Sequence, residues 1–332
     1  MALSYKFLLL CFLLIFVSPA IAQTSFRPKA LVLPVLKNAA VFQYVTQIKQ
    51  RTPLVPVKLV VHLGGNLLWV DCEKGYVSST NKTARCGSAQ CHLIGLVACG
   101  GGKCGDFPNN PISNTGTIGD IRIDVVSVQS TNGRNPGRGV TVPNFIFLCG
   151  SEFVLRGLAP GVTARSNGVI IIGDGPYVLL PNVDVSKSLT YTPLLINQVN
   201  TEGGFLGTPS NEYFIGVKSI KVGRKAIPLN TTLLSIDSDG IGGTKFSASV
   251  PYTALETSFY KALLQAFVNA MPTKVTRVAP VAPFGACFNS RDIGSSRLGP
   301  SVPQISFCRI AKCSGASSEQ IQSSGSATMC LA

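Results

Sequence analysis

Residues 58 to 72 read Lys-Leu-Val-Val-His-Leu-Gly-Gly-Asn-Leu-Leu-Trp-Val-Asp-Cys. An apolar run, Leu59 to Val61, enters a tight turn at Gly64 and Gly65. A second apolar run, Leu67 to Val70, leaves it toward Asp71 and Cys72. Two short β-prone runs around a Gly pair predict strand, turn, strand, with His62 at the mouth of the turn.

The rest of the chain repeats this grammar. It holds 33 Gly and 21 Pro among many short Val/Ile/Leu/Thr runs, a composition that favours β structure. Its 332 residues exceed one ordinary core, so two packed lobes are expected. Hydrophobic residues at 45% and charged residues at 13% exclude a disordered chain. Residues 26–35, interrupted by Pro28 and Pro34, read as an edge strand. Tyr44 to Gln50, Asp120 to Ser130 and Val140 to Cys149 read as strands, with a hairpin turn at Thr131-Asn132-Gly133. Val169 to Ile172 reads as a buried strand. Glu212 to Gly223 reads as strand with a bend at Gly216, and residues 244–250 follow a Gly pair. Leu255, Phe259, Leu263, Ala266 and Phe267 recur at helical spacing behind the capping box Thr253-x-x-Glu256, giving a helix to about Ala270. That apolar stripe reads as core. The chain thus divides into lobes joined near residues 180–210.

The N-terminus reads as a secretory signal over residues 1–22. Lys6 supplies the basic start, Phe7 to Val17 the apolar stretch, and Ala20-Ile21-Ala22 the small-residue cleavage site. Removal of Cys11 leaves cysteines 72, 86, 91, 99, 104, 149, 287, 308, 313 and 330. An even number in a secreted chain reads as a disulfide framework, with a stapled loop region between Cys72 and Cys104. Zinc is set aside because the chain has only 2 His, the compartment is oxidising and no Cys-x2-Cys pair occurs. Neither a metal nor any other cofactor is called for. Asn81-Lys82-Thr83 and Asn230-Thr231-Thr232 are N-glycosylation sequons. The formal net charge of +14 is scattered and not interleaved with aromatics, which argues against nucleic acid. It is compatible with a solvated basic surface or with attraction to an acidic wall polysaccharide or partner protein.

The strand–turn–strand at His62 resembles the catalytic turn of pepsin-like aspartic peptidases, in which a hydrophobic strand delivers Asp-Thr-Gly. Such enzymes need two carboxylates about 3 Å apart sharing one proton, one activating water and the other protonating the carbonyl oxygen. Here His62 occupies the Asp position, Leu63 the Thr position, and Gly64 is retained. The second turn should follow the second lobe's first strands and precede a short strand and a helix. Thr244 to Thr253 sits there, with Ser247 at the Asp position and Ser249 in place of Gly. The imidazole of His62 cannot supply the negative charge of a carboxylate partner. A His62–Ser247 nucleophile–base pair would need an orienting acid and an oxyanion hole, and the sequence offers neither.

Longer blocks are similar to plant extracellular dermal glycoproteins, basic 7S globulins, γ-conglutins and TAXI-type xylanase inhibitors. These are residues 26–35, 44–57, Leu67 to Cys72, Tyr76 to Thr80, Gly173 to Tyr177, Glu212 to Ile220 and Gly242 to Lys245. The resemblance implies an all-β, bilobal pepsin-like fold with a few short helices and a first lobe that lacks a piece. Its lobes span residues 23–188 and 189–332. It implies secretion to the apoplast or cell wall, with no membrane anchor after signal cleavage. It implies catalytic silence and binding or inhibition of secreted microbial glycoside hydrolases in plant defence, the alternatives being an aspartic endopeptidase and a storage or wall glycoprotein. The cysteines expected to pair are Cys72, Cys86, Cys91, Cys99, Cys104, Cys149, Cys287 and Cys330. Two departures stand out. Between Val162 and Asn167 the family's Gly-rich turn, short helix and strand are missing. After Ile305 the family's apolar strand leads into Trp-Ser-Ile-Phe-Gly-Ala-Asn-Ser, which permitted codons can spell here from the third base of the Ser314 codon. Residues 306–329 therefore read as frameshifted, with Cys308 and Cys313 accidental and Cys330 back in frame.

Overall fold

The computed structural model describes residues 27–38, 40–95, 97–133, 136–159, 164–180, 183–189, 191–201, 208–250, 252–296, 299–308, 313–316, 321–323 and 328–331. The expected signal over residues 1–22 lies outside them. No helix among them is long and apolar enough to cross a membrane.

The first half is organised by one 10-stranded sheet. Its strands are β1 (Ala30–Asn38), β2 (Tyr44–Gln50), β3 (Val55–Val60), β4 (Trp69–Asp71), β5 (Lys82–Thr83), β6 (Ala98–Gly100), β7 (Lys103–Asp106), β8 (Gly119–Thr131), β9 (Pro136–Gly150) and β10 (Ala164–Ile172). The main path runs β10-β1-β2-β8-β9-β4, with β3 on β2, β5 and β7 on β8, and β6 on β7. The hairpin β8–β9 is longer than its sequence pattern implies, because both strands continue past the alternating core residues. Strand β1 is not the edge strand its prolines predict: β10 flanks one side, and β8 and β2 share the other. On that second side β8 covers Ala30 to Val32 and β2 covers Val35 to Lys37. Pro34 falls at the handover, which is how an internal strand tolerates a residue without an N–H.

Only β4 runs parallel to its partner among these pairings, with Trp69, Val70 and Asp71 opposite Leu148, Cys149 and Gly150. The Cys72–Cys149 disulfide closes the end of that ladder. Two further bridges, Cys86–Cys99 and Cys91–Cys104, staple the β5–β7 region. The first apolar core gathers Ala84, Cys91, Cys104, Ile121, Ile123 and Leu148, with Leu67 and Trp69 packed against it.

The second half is a set of smaller sheets around a helix. Strands β11 (Leu194–Leu195), β12 (Tyr213–Ile215) and β15 (Thr244–Phe246) form one sheet; β13 (Ser219–Val222), β14 (Lys225–Ala226), β18 (Ile305–Cys308) and β19 (Cys313–Ala316) form another. A third contains β16 (Arg277–Val278), β17 (Cys287–Asn289), β20 (Ile321–Ser323) and β21 (Thr328–Leu331), where Cys287–Cys330 bridges paired strands. Helix α1 (Thr257–Ala270) turns Phe259, Leu263 and Phe267 inward. They meet Val217, Ile220, Val222, Ile305 and Leu331 in a second core. The single bent strand expected over residues 212–223 is in fact two strands in different sheets, because Val217 turns into the helix core between them. The helix also starts one turn later than a Thr253 cap would place it. Glu256 is itself the cap, its carboxylate accepting from Ser258 N at 2.8 Å and Phe259 N at 3.3 Å.

Between Leu155, which ends a 3-10 turn, and β10, which starts at Ala164, no helix appears among the described residues. Residues 169–172 do form a strand, but not the buried one expected: β10 ends the sheet path and leaves Val169 and Ile172 exposed at 43% and 51%. At the other end, β18 sits between β13 and β19 with Cys308 opposite Cys313, and Cys308 is disulfide-bonded. Those residues take a place in the sheet whatever the origin of their reading frame.

One buried carboxylate ties the loop after β4 to β8. Asp124, 1% exposed, accepts from Tyr76 Oη at 2.8 Å, Ser78 Oγ at 3.0 Å, Thr80 Oγ1 at 2.5 Å and Val125 N at 2.8 Å. Burial works against its charge, but these donors outweigh burial and hold its carboxyl below the usual range. Burial, then the hydrogen bond to Asp124, pushes the Tyr76 phenol up. A depressed folded-state value stabilises the fold above the unfolded carboxylate pKa of about 3.9, and the contribution is lost as pH falls through the folded value. Asp124→Ala should cost about 3 kcal/mol at pH 7, because several hydroxyls lose a charged acceptor. Urea denaturation across pH should show the gap from wild type closing only under strongly acidic conditions.

Candidate functional site

A cleft of about 910 Å³ opens beside the turn between β3 and β4, a volume within the usual range for ligand pockets. His62, Gly64, Gly65 and Asn66 line one wall, and Asn200, Pro209, Asn211 and Ser249 from the second half line another. His62 is half-buried. A side chain at Gly65 would place its Cβ 3.3 Å from His62 Nδ1, so the turn closes against the imidazole. Asn211 Nδ2 donates to Asn66 Oδ1, joining the first turn to the second half of the chain.

Ser247 behaves differently. It follows β15 on an exposed loop, and it is Ser249, 4% exposed, that lines the cleft. The Oγ atoms of Ser247 and Ser249 lie 3.0 Å apart, and Ser249 N donates to Ser247 Oγ at 3.3 Å. The Ser247 hydroxyl is thus spent within its own loop and makes no hydrogen bond to His62. Ahead of β15, Gly242 and Gly243 have φ of 94° and 79°, values that disfavour a side chain, where the chain passes close to Leu233–Ile236. The short strand expected between this turn and α1 is absent, since residues 252–256 pair with nothing as strand. In the first half β4 occupies the equivalent place after its turn because β9 supplies a parallel partner. The second half has no such partner among its described strands.

Two acids in the cleft wall, Asp71 and Asp106, were not singled out by sequence reasoning as site residues. Asp71 Oδ1 accepts from Glu73 N, and Asp106 Oδ1 from Phe107 N, both at 2.8 Å. Neither carboxylate bonds to the other. Burial pushes the Asp106 carboxyl up, partly offset by the Phe107 N–H. Beside the second turn, Glu212, 6% exposed, forms an ion pair with Lys245 and receives Ser210 Oγ at 3.2 Å. The lysine in an otherwise apolar strand before Ser247 was the available sequence signal for this pair. Of the sequon residues, Asn81 is half-buried and Asn230 exposed. Asn230 caps a 3-10 turn through Thr232 N and Thr232 Oγ1.

The comparisons with known proteins decide the family. A model described as xylanase inhibitor N-terminal matches residues 44–196, and one described as xylanase inhibitor C-terminal matches residues 212–332. This chain belongs to the xylanase-inhibitor (TAXi) family. It is 49% identical to "Probable aspartic proteinase GIP2" of Nicotiana benthamiana, covering 90% of this chain and 79% of that one. That alignment runs over 346 positions, more than the whole of this 332-residue chain, so the relative carries residues that have no counterpart here. The crystal structure of edgp superposes with a TM-score of 0.88 at 46% identity, covering 93% of this chain and 87% of that one. Conglutin gamma, a basic 7S globulin from lupine seeds, gives a TM-score of 0.73 at 28% identity, covering 92% and 86%. This TAXi chain therefore shares the aspartic-protease-like fold of its family, a group that includes non-catalytic members.

The raised Asp106 carboxyl gives a test of the cleft electrostatics. A folded value above the unfolded one penalises the fold once pH exceeds it, and the penalty vanishes below the unfolded value. Asp106→Asn keeps the Phe107 N–H bond and removes the buried charge. It should melt at or above the wild-type temperature at pH 7, with the difference fading toward pH 3, by differential scanning calorimetry.

Proposed function

We propose that this TAXi protein is a secreted, non-catalytic binder and inhibitor of microbial glycoside hydrolases that degrade plant cell walls. The observation that carries the reading is the match of xylanase-inhibitor models to both halves of the chain. The cleft supports it. On the sequence reading, His62 and Ser247 take the two catalytic aspartate positions of a pepsin-like enzyme, and the acids that line the cleft, Asp71 and Asp106, are bonded to backbone N–H groups and not to each other. A shared-proton dyad needs two carboxylates in contact. Function then moves from the cleft chemistry to surface loops, where inhibition needs only complementarity to a partner.

The seed-globulin name of one structural relative favours storage as the second reading. Storage predicts abundance in seed or wall extracts without inhibition of any glycanase. The discriminating experiment expresses residues 23–332 in a secretory host and titrates the product against fungal xylanases and glucanases. Saturable loss of glycanase activity with a stable complex on gel filtration is the expected result. Full activity across the panel at micromolar protein would overturn the inhibitor reading.

A further inference from the structure

We propose that a basic trough on the first lobe, formed by Lys82, Arg85 and Lys103, binds acidic polysaccharide through uronate carboxylates. The trough measures about 640 Å³, is lined by residues 82–85 and 101–103, and shares no residue with the cleft. Three cations line it and no acid does.

The pairing of strands creates this concentration of charge. Arg85 bridges Lys103 directly across an antiparallel contact. Like charges held opposite one another destabilise a sheet. The β5–β8 register sets Thr83 opposite Arg122, bringing a further cation to the same neighbourhood. The one acid nearby is overcommitted: Lys103 Nζ lies 3.5 Å and Arg122 Nη2 3.7 Å from the same oxygen, Asp120 Oδ2. Among the described residues Lys82 and Arg85 have no ion-pair partner.

Disulfides fix the arrangement. Cys86, next to Arg85, is bridged to Cys99, and Cys104, next to Lys103, to Cys91. Cys86 N also donates to Gly102 O at 3.1 Å. The cationic side chains therefore project from a stapled backbone, and binding an anion there costs little loop ordering. A carboxylate seated between Arg85 and Lys103 would replace their mutual repulsion with charge-assisted hydrogen bonds.

The lining suits an anionic polymer that needs no stacking platform. No aromatic side chain lines the trough, so it lacks the stacking platform of a single-stranded nucleic-acid site. The chain's net charge of +14 would draw any polyanion closer; the trough adds a place for it to register. This inference does not depend on hydrolase inhibition.

The test compares binding of the full mature chain to polygalacturonate with that of two variants of equal charge loss. Lys82→Ala/Arg85→Ala/Lys103→Ala removes the trough, and Lys218→Ala/Arg224→Ala/Lys225→Ala removes exposed cations elsewhere. Calorimetric melting first verifies that both fold. In affinity electrophoresis at moderate salt the trough variant should lose about tenfold or more in affinity, equivalent to about 1.4 kcal/mol. The control variant should stay close to wild type. Equal losses in the two variants would mean diffuse attraction and overturn the site, as would wild-type binding to neutral arabinoxylan as tight as to polygalacturonate. Equal wild-type affinity for poly-aspartate would replace the saccharide with an acidic peptide and overturn the assignment. Failure of the wild type to bind polygalacturonate would end it.

Discussion

The parallel ladder between β4 and β9, closed by Cys72–Cys149, is the constraint on which the first half depends. It returns the chain to the sheet immediately after the His62 turn, and so it fixes where that turn stands. Trp69 and Leu67 can then pack on the Ile121–Leu148 core, and the turn's Asn66 can reach Asn211. Without the ladder, Leu63 to Leu68 would be a free loop, and the wall of the cleft would have no set position.

The second half shows what happens when the equivalent support is missing. Its turn after β15 returns to no parallel partner; it runs through a Ser247–Ser249 loop straight into the Glu256 cap of α1. Stability there comes from the helix core around Phe267, and the half-buried Glu212–Lys245 pair fixes the geometry beside the turn. Removing Lys245 would leave the buried Glu212 carboxylate uncompensated, so the pair resists loss even though it adds little net stability. The two cleft walls are thus held by different means: a disulfide-closed ladder on one side, and a local loop with an ion pair on the other.

Much of this was legible in the sequence because the relevant signals are local. Alternation in residues 44–50 and 120–130, the Gly pair after His62 and the helical stripe from Phe259 to Phe267 each act within a few residues. The misreadings came from non-local terms. Pro34 argued for an edge, but the handover from β8 to β2 makes it harmless inside the sheet. Residues 212–223 look like one strand, yet tertiary burial of Val217 divides them. The helix start depended on which of two polar side chains captures the first free N–H groups, and the Glu256 carboxylate does so. At the site, His62 was visible because it interrupts an apolar run. Asp106 and the trough were not, since they exist only where β7 meets β5 and β8. The missing stretch after Val162 was readable only from the family resemblance, and the strand at residues 169–172 was misread as buried because its place at the sheet edge, with Val169 and Ile172 exposed, is set by distant pairing.

The central proposal is that this cleft holds no working acid–base pair. The most direct measurement is hydrolysis of a denatured protein substrate by the purified mature chain between pH 3 and 6, with and without a statine-type transition-state analogue. The account predicts no cleavage above the blank and no heat of binding on titration with the analogue. Turnover abolished by stoichiometric analogue would contradict it.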